Sequence, residues 1–361
     1  MHIPDGYLSP STCVVLYALS ASGWYSSLKR IKRLLATRAI PLISVFAAFA
    51  FVVMMFNVPL PGGTTGHAVG VTVAAIVLGP WGSILAISIA LAIQALFFGD
   101  GGITTLGANC FNMAIVGSFV AYSVYRIIAA KSELSARRRV LAAAIAGYVS
   151  INASALVTAF EVGIQPTLFH DANGSPLYAP YPLHIAIPAM MIGHLTFAGL
   201  AEAAISAGMV SYLQRADPGL LRGGGETAER MPLAALTSGT QPSERRLWLT
   251  VALLMFLTPI GILAAGTAWG EWSSADLANP QARAQIASAS HGQAPPVAIP
   301  SGIQKLSALW TAPFPGYAPF FIKRPEFGYL LSALFGVGLL LLASFAATSL
   351  GRTWRKRESR S

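Results

Sequence analysis

Charge is scarce in this chain. Only 11% of its 361 residues are Asp, Glu, Lys or Arg, while 54% are hydrophobic; an ordinary soluble domain carries about a quarter charged residues. A water-soluble globule has nowhere to hide that much apolar surface, so that class is excluded. Cysteine is nearly absent. Cys13 and Cys110 stand in apolar or membrane-proximal sequence with no second Cys or His at ligand spacing, which excludes a disulfide framework and a zinc cluster. No G-x-x-x-x-G-K-[ST] loop occurs, so the chain has no phosphate cradle of that kind for ATP. No H-E-x-x-H occurs either, and a membrane metalloenzyme would also need a metal-activated water beside a general base.

What the chain has in quantity is long apolar runs. A helix needs about 20 mostly apolar residues to cross the hydrocarbon core. Such runs fall near residues 11–28, 39–58, 67–78, 81–98, 106–128, 140–163, 183–213, 247–266 and 327–350. The pattern predicts an all-α polytopic membrane protein with nine crossings, the third too short for a full span and therefore tilted, broken or buried among its neighbours.

The net charge of +10 is distributed by side. With the N-terminus outside, 20 of the 24 Lys and Arg fall on inner segments. Lys29, Arg30, Lys32, Arg33 and Arg38 form one group, and Arg126, Lys131, Arg137, Arg138 and Arg139 a second. Arg215, Arg222, Arg230, Arg245 and Arg246 form a third, and Arg352, Arg355, Lys356, Arg357 and Arg360 the tail. Arg283, Lys305, Lys323 and Arg324 share one long outer loop. Such a bias is the positive-inside signature of a bacterial cytoplasmic membrane protein surrounded by lipid, and it accounts for the basicity without nucleic acid.

The first apolar stretch is not patterned as a cleavable signal, because its basic residues follow the apolar run instead of preceding it. Met1 is therefore expected to survive on the outer side, followed by His2. A free α-amine, the amide nitrogen of residue 2 and the His2 imidazole can close two fused chelate rings on one ion. An α-amine loses its proton near pH 7.7–8.0, roughly two units more easily than a lysine, and metal ligands have to be deprotonated. Planar nitrogen sets suit Ni(II) or Cu(II). A His next to Met by chance is the alternative reading of these two residues.

A fourth donor is available in the stiff outer loop Pro59-Leu60-Pro61-Gly62-Gly63-Thr64-Thr65-Gly66-His67, where His67 reads either as a ligand or as a capping residue. Asn57, Asn109 and Asn112 place carboxamides at or near membrane depth, to orient a metal site or to join helices. Asp100, in Phe98-Gly99-Asp100-Gly101-Gly102, reads as a turn former. Glu161, His194 and Glu202 read as structural pairs inside the bundle, and His170, His184 and His291 as solvated or interfacial residues.

The opening Met1-His2-Ile3-Pro4-Asp5-Gly6, the Pro61–His67 loop, the Phe98–Gly102 turn and the stretch around Asn109 together resemble the CbiM/NikM family over about residues 1–213. Those proteins are the substrate-binding (S) components of energy-coupling factor transporters for cobalt and nickel. The resemblance implies a seven-helix module that binds Ni2+ or Co2+ as its transported substrate through Met1, His2 and His67. Asn57, Thr65, Asn109 and Asn112 would stand behind them. It also implies a separate energy-coupling transmembrane subunit and ATP-binding cassette ATPases as partners, and no enzymatic activity. The first module looks closer to the nickel branch. Residues 214–246 read as a cytoplasmic linker and 247–361 as a two-helix unit with an outer loop at 267–326, similar to the CbiN/NikN companion subunit but lacking its PDGLE signature. With its single histidine, His291, in a polar loop, that unit is expected to assist without forming the site. A self-sufficient ion-coupled permease using Glu161 or Glu202 is the alternative function.

Overall fold

The computed structural model describes residues 1–31, 39–60, 63–222, 242–264 and 266–358. Helix α1 (Pro10–Ile31) and α2 (Ala39–Met54) come first. A small antiparallel hairpin follows, β1 (Val58–Leu60) against β2 (Thr64–Gly66). Helix α3 (Val71–Ile93) runs on through a π-helical turn at Gln94–Phe98. Helices α4 (Leu106–Asn109) and α5 (Gly117–Ala129) are continuous through a second π turn, Cys110–Val116. Then come α6 (Arg137–Gly163), the single turn α7 (Gln165–Leu168), and α8 (Leu183–Gly193), which a third π turn, His194–Ala198, carries into α9 (Gly199–Ala216). A 3-10 turn at Pro218–Arg222 ends the first unit.

The second unit has two long helices, α10 (Pro242–Leu257) and α14 (Pro325–Glu358). The loop between them carries α11 (Ser274–Ala278), α12 (Pro280–Ala289) and α13 (Ser301–Leu306). Most of the expected linker, residues 223–241, lies outside the described residues, as do Lys32, Arg33, Arg38, Pro61, Gly62, Arg230 and Arg360.

Among the described residues six helical runs are long and apolar enough to cross a membrane. They are Val71–Phe98, Leu106–Ala129, Arg137–Leu168, Leu183–Ala216, Arg245–Leu263 and Pro325–Ala346, beside a shorter apolar helix at Ile40–Met54. The sequence reading differs most at its third and fourth spans, which are one helical run broken at Gly79 (φ 71°, ψ 170°) before Pro80. Ser83 Oγ approaches the Val71 carbonyl to 3.4 Å. In an unbroken helix residues twelve apart are about 18 Å apart, so the chain doubles back at Gly79. The first arm, Val71–Leu78, rises about 12 Å. Val71 to Val77 are all buried, as the flank of a helix that stops short inside a membrane has to be.

Close helix approach is made by small side chains, the usual means where lipid is as apolar as the core. A Cβ on Gly147 of α6 would come within 2.7 Å of the Ser206 hydroxyl of α9. Ser150 and Ser154 of α6 donate to the Gly117 and Asn112 carbonyls at 2.8 Å each. Large residues such as Leu141, Phe160, Leu200 and Leu249 face outward, as a lipid-facing surface requires. The second unit docks on α2: Gly336 lies against the Phe51 ring, Tyr329 donates to the Met55 carbonyl at 3.1 Å, and the Ser44 and Ser344 hydroxyls are bonded to each other.

Candidate metal centre

Residues 1–9 are not helical, yet Met1, His2, Ile3, Tyr7, Leu8 and Ser9 are buried. An irregular segment inside a bundle has to find partners for its peptide groups elsewhere, and here the surrounding elements supply them. The Ile3 N–H donates to Asn109 Oδ1 at 2.8 Å, and the Ile3 carbonyl accepts from Asn109 Nδ2 at 3.1 Å and from the Gly102 N–H at 2.9 Å. The Asp5 carboxylate accepts from the Ile103 and Thr104 N–H groups at 3.1 and 2.7 Å and from the Thr104 hydroxyl. Further along, the Ser9 N–H donates to Gln165 Oε1 at 3.0 Å, the Tyr7 hydroxyl to the Trp272 carbonyl at 2.8 Å, and the Ala179 N–H to the Tyr7 carbonyl at 3.0 Å. Gly6 turns the segment at φ 86° where the backbone of Gly302 and Ile303 presses against it.

This threading carries the chain's first residues to His67. The His2 and His67 rings are 5.1 Å apart, centre to centre, and tilted by 33°. Two imidazoles bound at about 2 Å to neighbouring positions of one ion would have their centres roughly 4.5 Å apart, so the observed spacing is close to that of a shared ligand pair. His67 Nδ1 faces the Ala68 carbonyl at 3.0 Å. A proton there leaves the lone pair of Nε2 free, and Nε2 is buried with no hydrogen-bond partner. His2 Nδ1 lies 3.0 Å from Asp100 Oδ1 but off the line of a hydrogen bond, so both His2 ring nitrogens are buried and unpartnered. Burial, the facing His2 ring and the terminal ammonium push the His67 imidazole down to about 3, which keeps it neutral, the form that ligates.

Two carboxylates flank the paired rings and the Met1 amine. Glu271 Oε1 accepts from the Met1 ammonium and from the His2 N–H at 2.8 Å each. Asp100 is fixed on its other oxygen by the Tyr317 hydroxyl at 2.6 Å and Gln94 Nε2 at 3.3 Å. Burial alone would raise the Asp100 carboxyl, but the His2 and His67 rings and the Tyr317 hydroxyl outweigh it and hold the group below the usual carboxylate range. One ligand atom each from His2, Asp100 and Glu271 lies within 4.8 Å of the others. His67, Asp100, Glu271, Asn57 and Tyr317 line a cavity of about 380 Å³. Among the described residues, Gln94 of the first π turn meets Asp100 and His194 of the third lines a second cavity with Met1, while Asn109, which clamps Ile3, immediately precedes the second. Widened turns of this kind concentrate at functional sites.

The structure thus brings Met1, His2 and His67 together, with Asn109 on the N-terminal segment and Asn57 at the cavity. Thr65 is buried and donates to the Gly266 carbonyl at 3.3 Å. Asn112 is turned away from the histidines, bonding Thr158 and Glu161 at 3.1 and 2.7 Å. Glu202 accepts from the Val69 and Gly70 N–H groups at 2.7 and 2.9 Å and so fixes the backbone just after His67. Asp100, expected to be a turn former, faces His2 instead. Glu271 and Tyr317 lie in the long loop before α14, more than 200 positions along the chain from the residues they meet at the centre. The available signal was a carboxylate set between two tryptophans, Trp269 and Trp272.

Comparison with known proteins agrees with this picture. A family described as "Cobalt uptake substrate-specific transmembrane region" matches residues 2–220. The fused nickel transport protein NikMN of Rhodobacter capsulatus is 51% identical over 341 residues, 94% of this chain and 95% of that one. The cobalt transport protein CbiM of Geobacter sulfurreducens is 31% identical over 82% of this chain and 80% of its own. A crystal structure of a transition metal transporter, 52% identical, superposes with a TM-score of 0.57 over 60% of this chain and 94% of its own.

Proposed function

Because this chain belongs to the family of cobalt uptake substrate-specific transmembrane regions, we propose that it captures Ni2+ as the S component of an ATP-driven energy-coupling factor importer. The capturing set is the Met1 amine, the His2 amide nitrogen, His2 Nδ1 and His67 Nε2. The observation that carries this reading is a buried chain terminus whose amine, amide and imidazole converge on a second imidazole with an unpartnered nitrogen. Binding removes one proton from the ammonium and one from the amide, both released to water. The four nitrogens then lie in one plane, an arrangement that favours Ni(II), in keeping with a relative of near-equal length that is named a nickel transport protein. Co2+ is the second substrate of the same donor set.

The first unit, residues 1–213, supplies the donors, and residues 247–361 supply the outer cover. With no ATP-binding loop in the chain, energy comes from a separate transmembrane subunit and its ATPases. A carrier driven by ions through Glu161 or Glu202 is the alternative; each carboxylate is held through one oxygen, by Asn112 and by the backbone of residues 69–70, and keeps the other unpartnered. The positive-inside bias supports a bacterial inner membrane as its location, with the N-terminus outside.

The test is a nickel titration of the purified chain, read by binding heat and by the optical bands of planar Ni(II). Residues added before Met1 turn the amine into an amide without removing any side chain. Such an extension, like His2→Ala or His67→Ala, is expected to abolish tight binding, while His291→Ala is not. Wild-type affinity in the extended protein would refute the donor set.

A further inference from the structure

We propose that Glu271 competes with the metal: its carboxylate holds the Met1 and His2 nitrogens that the ion would take, has to withdraw for the ion to bind, and so sets how readily the ion is released. The inference rests on Met1 and His2 being donors, as proposed above. Glu271 Oε1 stands 2.8 Å from both the Met1 and the His2 nitrogens, and it takes up the N–H directions along which an ion would bind. An ion bound to those nitrogens at about 2 Å would lie roughly 1 Å from the present position of Oε1, so the two cannot be there together.

The surroundings let the side chain leave while its backbone stays. Glu271 closes a turn, its N–H donating to the Ala268 carbonyl at 3.0 Å, with Gly270 at φ 83°. Trp269 and Trp272 on either side are buried against Tyr181 and against each other. The Glu271 side chain is 17% exposed and borders the cavity of about 380 Å³ beside Asp100, which offers room for the displaced carboxylate.

The two backbone nitrogens of the proposed set are thus satisfied by Glu271, while His2 Nε2 and His67 Nε2 have no partner. The ammonium and the amide already have an acceptor of the right charge, and the ion gains only the difference between itself and that acceptor. A planar chelate that includes a backbone amide would otherwise hold its ion too firmly for a transporter, which has to let go. By stabilising the unloaded form, Glu271 lowers affinity and speeds release.

The experiment is a competition titration of Ni2+ against a chelator, with stopped-flow release, on the full-length chain and on Glu271→Ala and Glu271→Gln. Loss of one charge-assisted acceptor serving two donors predicts that Glu271→Ala binds Ni2+ about tenfold more tightly or better. Its release should be correspondingly slower and its planar optical bands unchanged. Glu271→Gln keeps the shape and a weaker acceptor and should fall between. Equal or weaker binding in a folded Glu271→Ala or Glu271→Gln protein with the planar bands intact would overturn the proposal, because the carboxylate would then be helping the ion. If the wild-type chain shows no planar bands that depend on its free amine, the donor set itself is wrong, and this inference falls with it.

Discussion

Gly102 shows how narrowly the N-terminal segment is fitted. A Cβ there would sit 2.5 Å from Asp5 Oδ1 and 2.6 Å from Asp5 Cγ, and Asp5 is pinned by two backbone N–H groups. Gly102→Ala is expected to push residues 1–5 out of register and weaken nickel binding more than tenfold in a protein that still folds. Gly208→Ala, in open space on α9, should leave binding untouched and raise thermal stability slightly, since Ala is the better helix former by about 1 kcal/mol. Nickel titration and thermal unfolding in detergent separate the two. Asn109→Leu leaves the Ile3 N–H buried without its acceptor, at about 1–3 kcal/mol, while the Ile3 carbonyl keeps the Gly102 N–H and the Thr105 hydroxyl, so its loss of binding should accompany a lower melting temperature. At this scale the sequence singled out His2, beside a free amine, and His67, in a stiff Gly-Pro loop, each with a bland alternative, and the structure places the two rings 5.1 Å apart. Glu271 was not singled out, because its contact with Met1 spans 270 positions and no local pattern encodes it.

Among the elements, hydropathy located the helices well, since a long apolar run in a membrane leaves the backbone little choice but helix. What hydropathy does not encode is how a run is folded. The Gly79-Pro80 pair separated two expected spans, and only the approach of Ser83 to Val71 reveals a short arm folded back on a long one. The conformation of Gly79 is one that residues with a Cβ scarcely adopt, at about 1–3 kcal/mol for forcing it. Gly79→Ala should therefore lower the melting temperature by several degrees, and thermal unfolding of the metal-free protein checks this. The π turns were illegible for a related reason: one additional residue per turn leaves no compositional trace.

For the whole molecule, the 20-to-4 division of basic residues is the argument for the proposed orientation, and the exposed positions Ser288 and Ser135 test it. In a variant lacking Cys13 and Cys110, a cysteine at Ser288 should react with an impermeant thiol reagent from outside and one at Ser135 only after the membrane is opened. The opposite pattern would invert the topology. A chain ending after Arg222 keeps every proposed donor and should still bind one Ni2+, and loss of binding in a folded truncate would place a donor in the second unit. The threaded terminus also constrains how the protein is made. Residues 1–9 leave the ribosome before Asn109, Gln165, Ala179 or Trp272 exist, and those are the groups that will hold them. During synthesis that segment therefore has none of these partners until the later helices and the second unit's loop have been made. The earliest residues to be made are thus among the last to find their hydrogen-bond partners, most of them in the first unit and one, the Trp272 carbonyl, in the second.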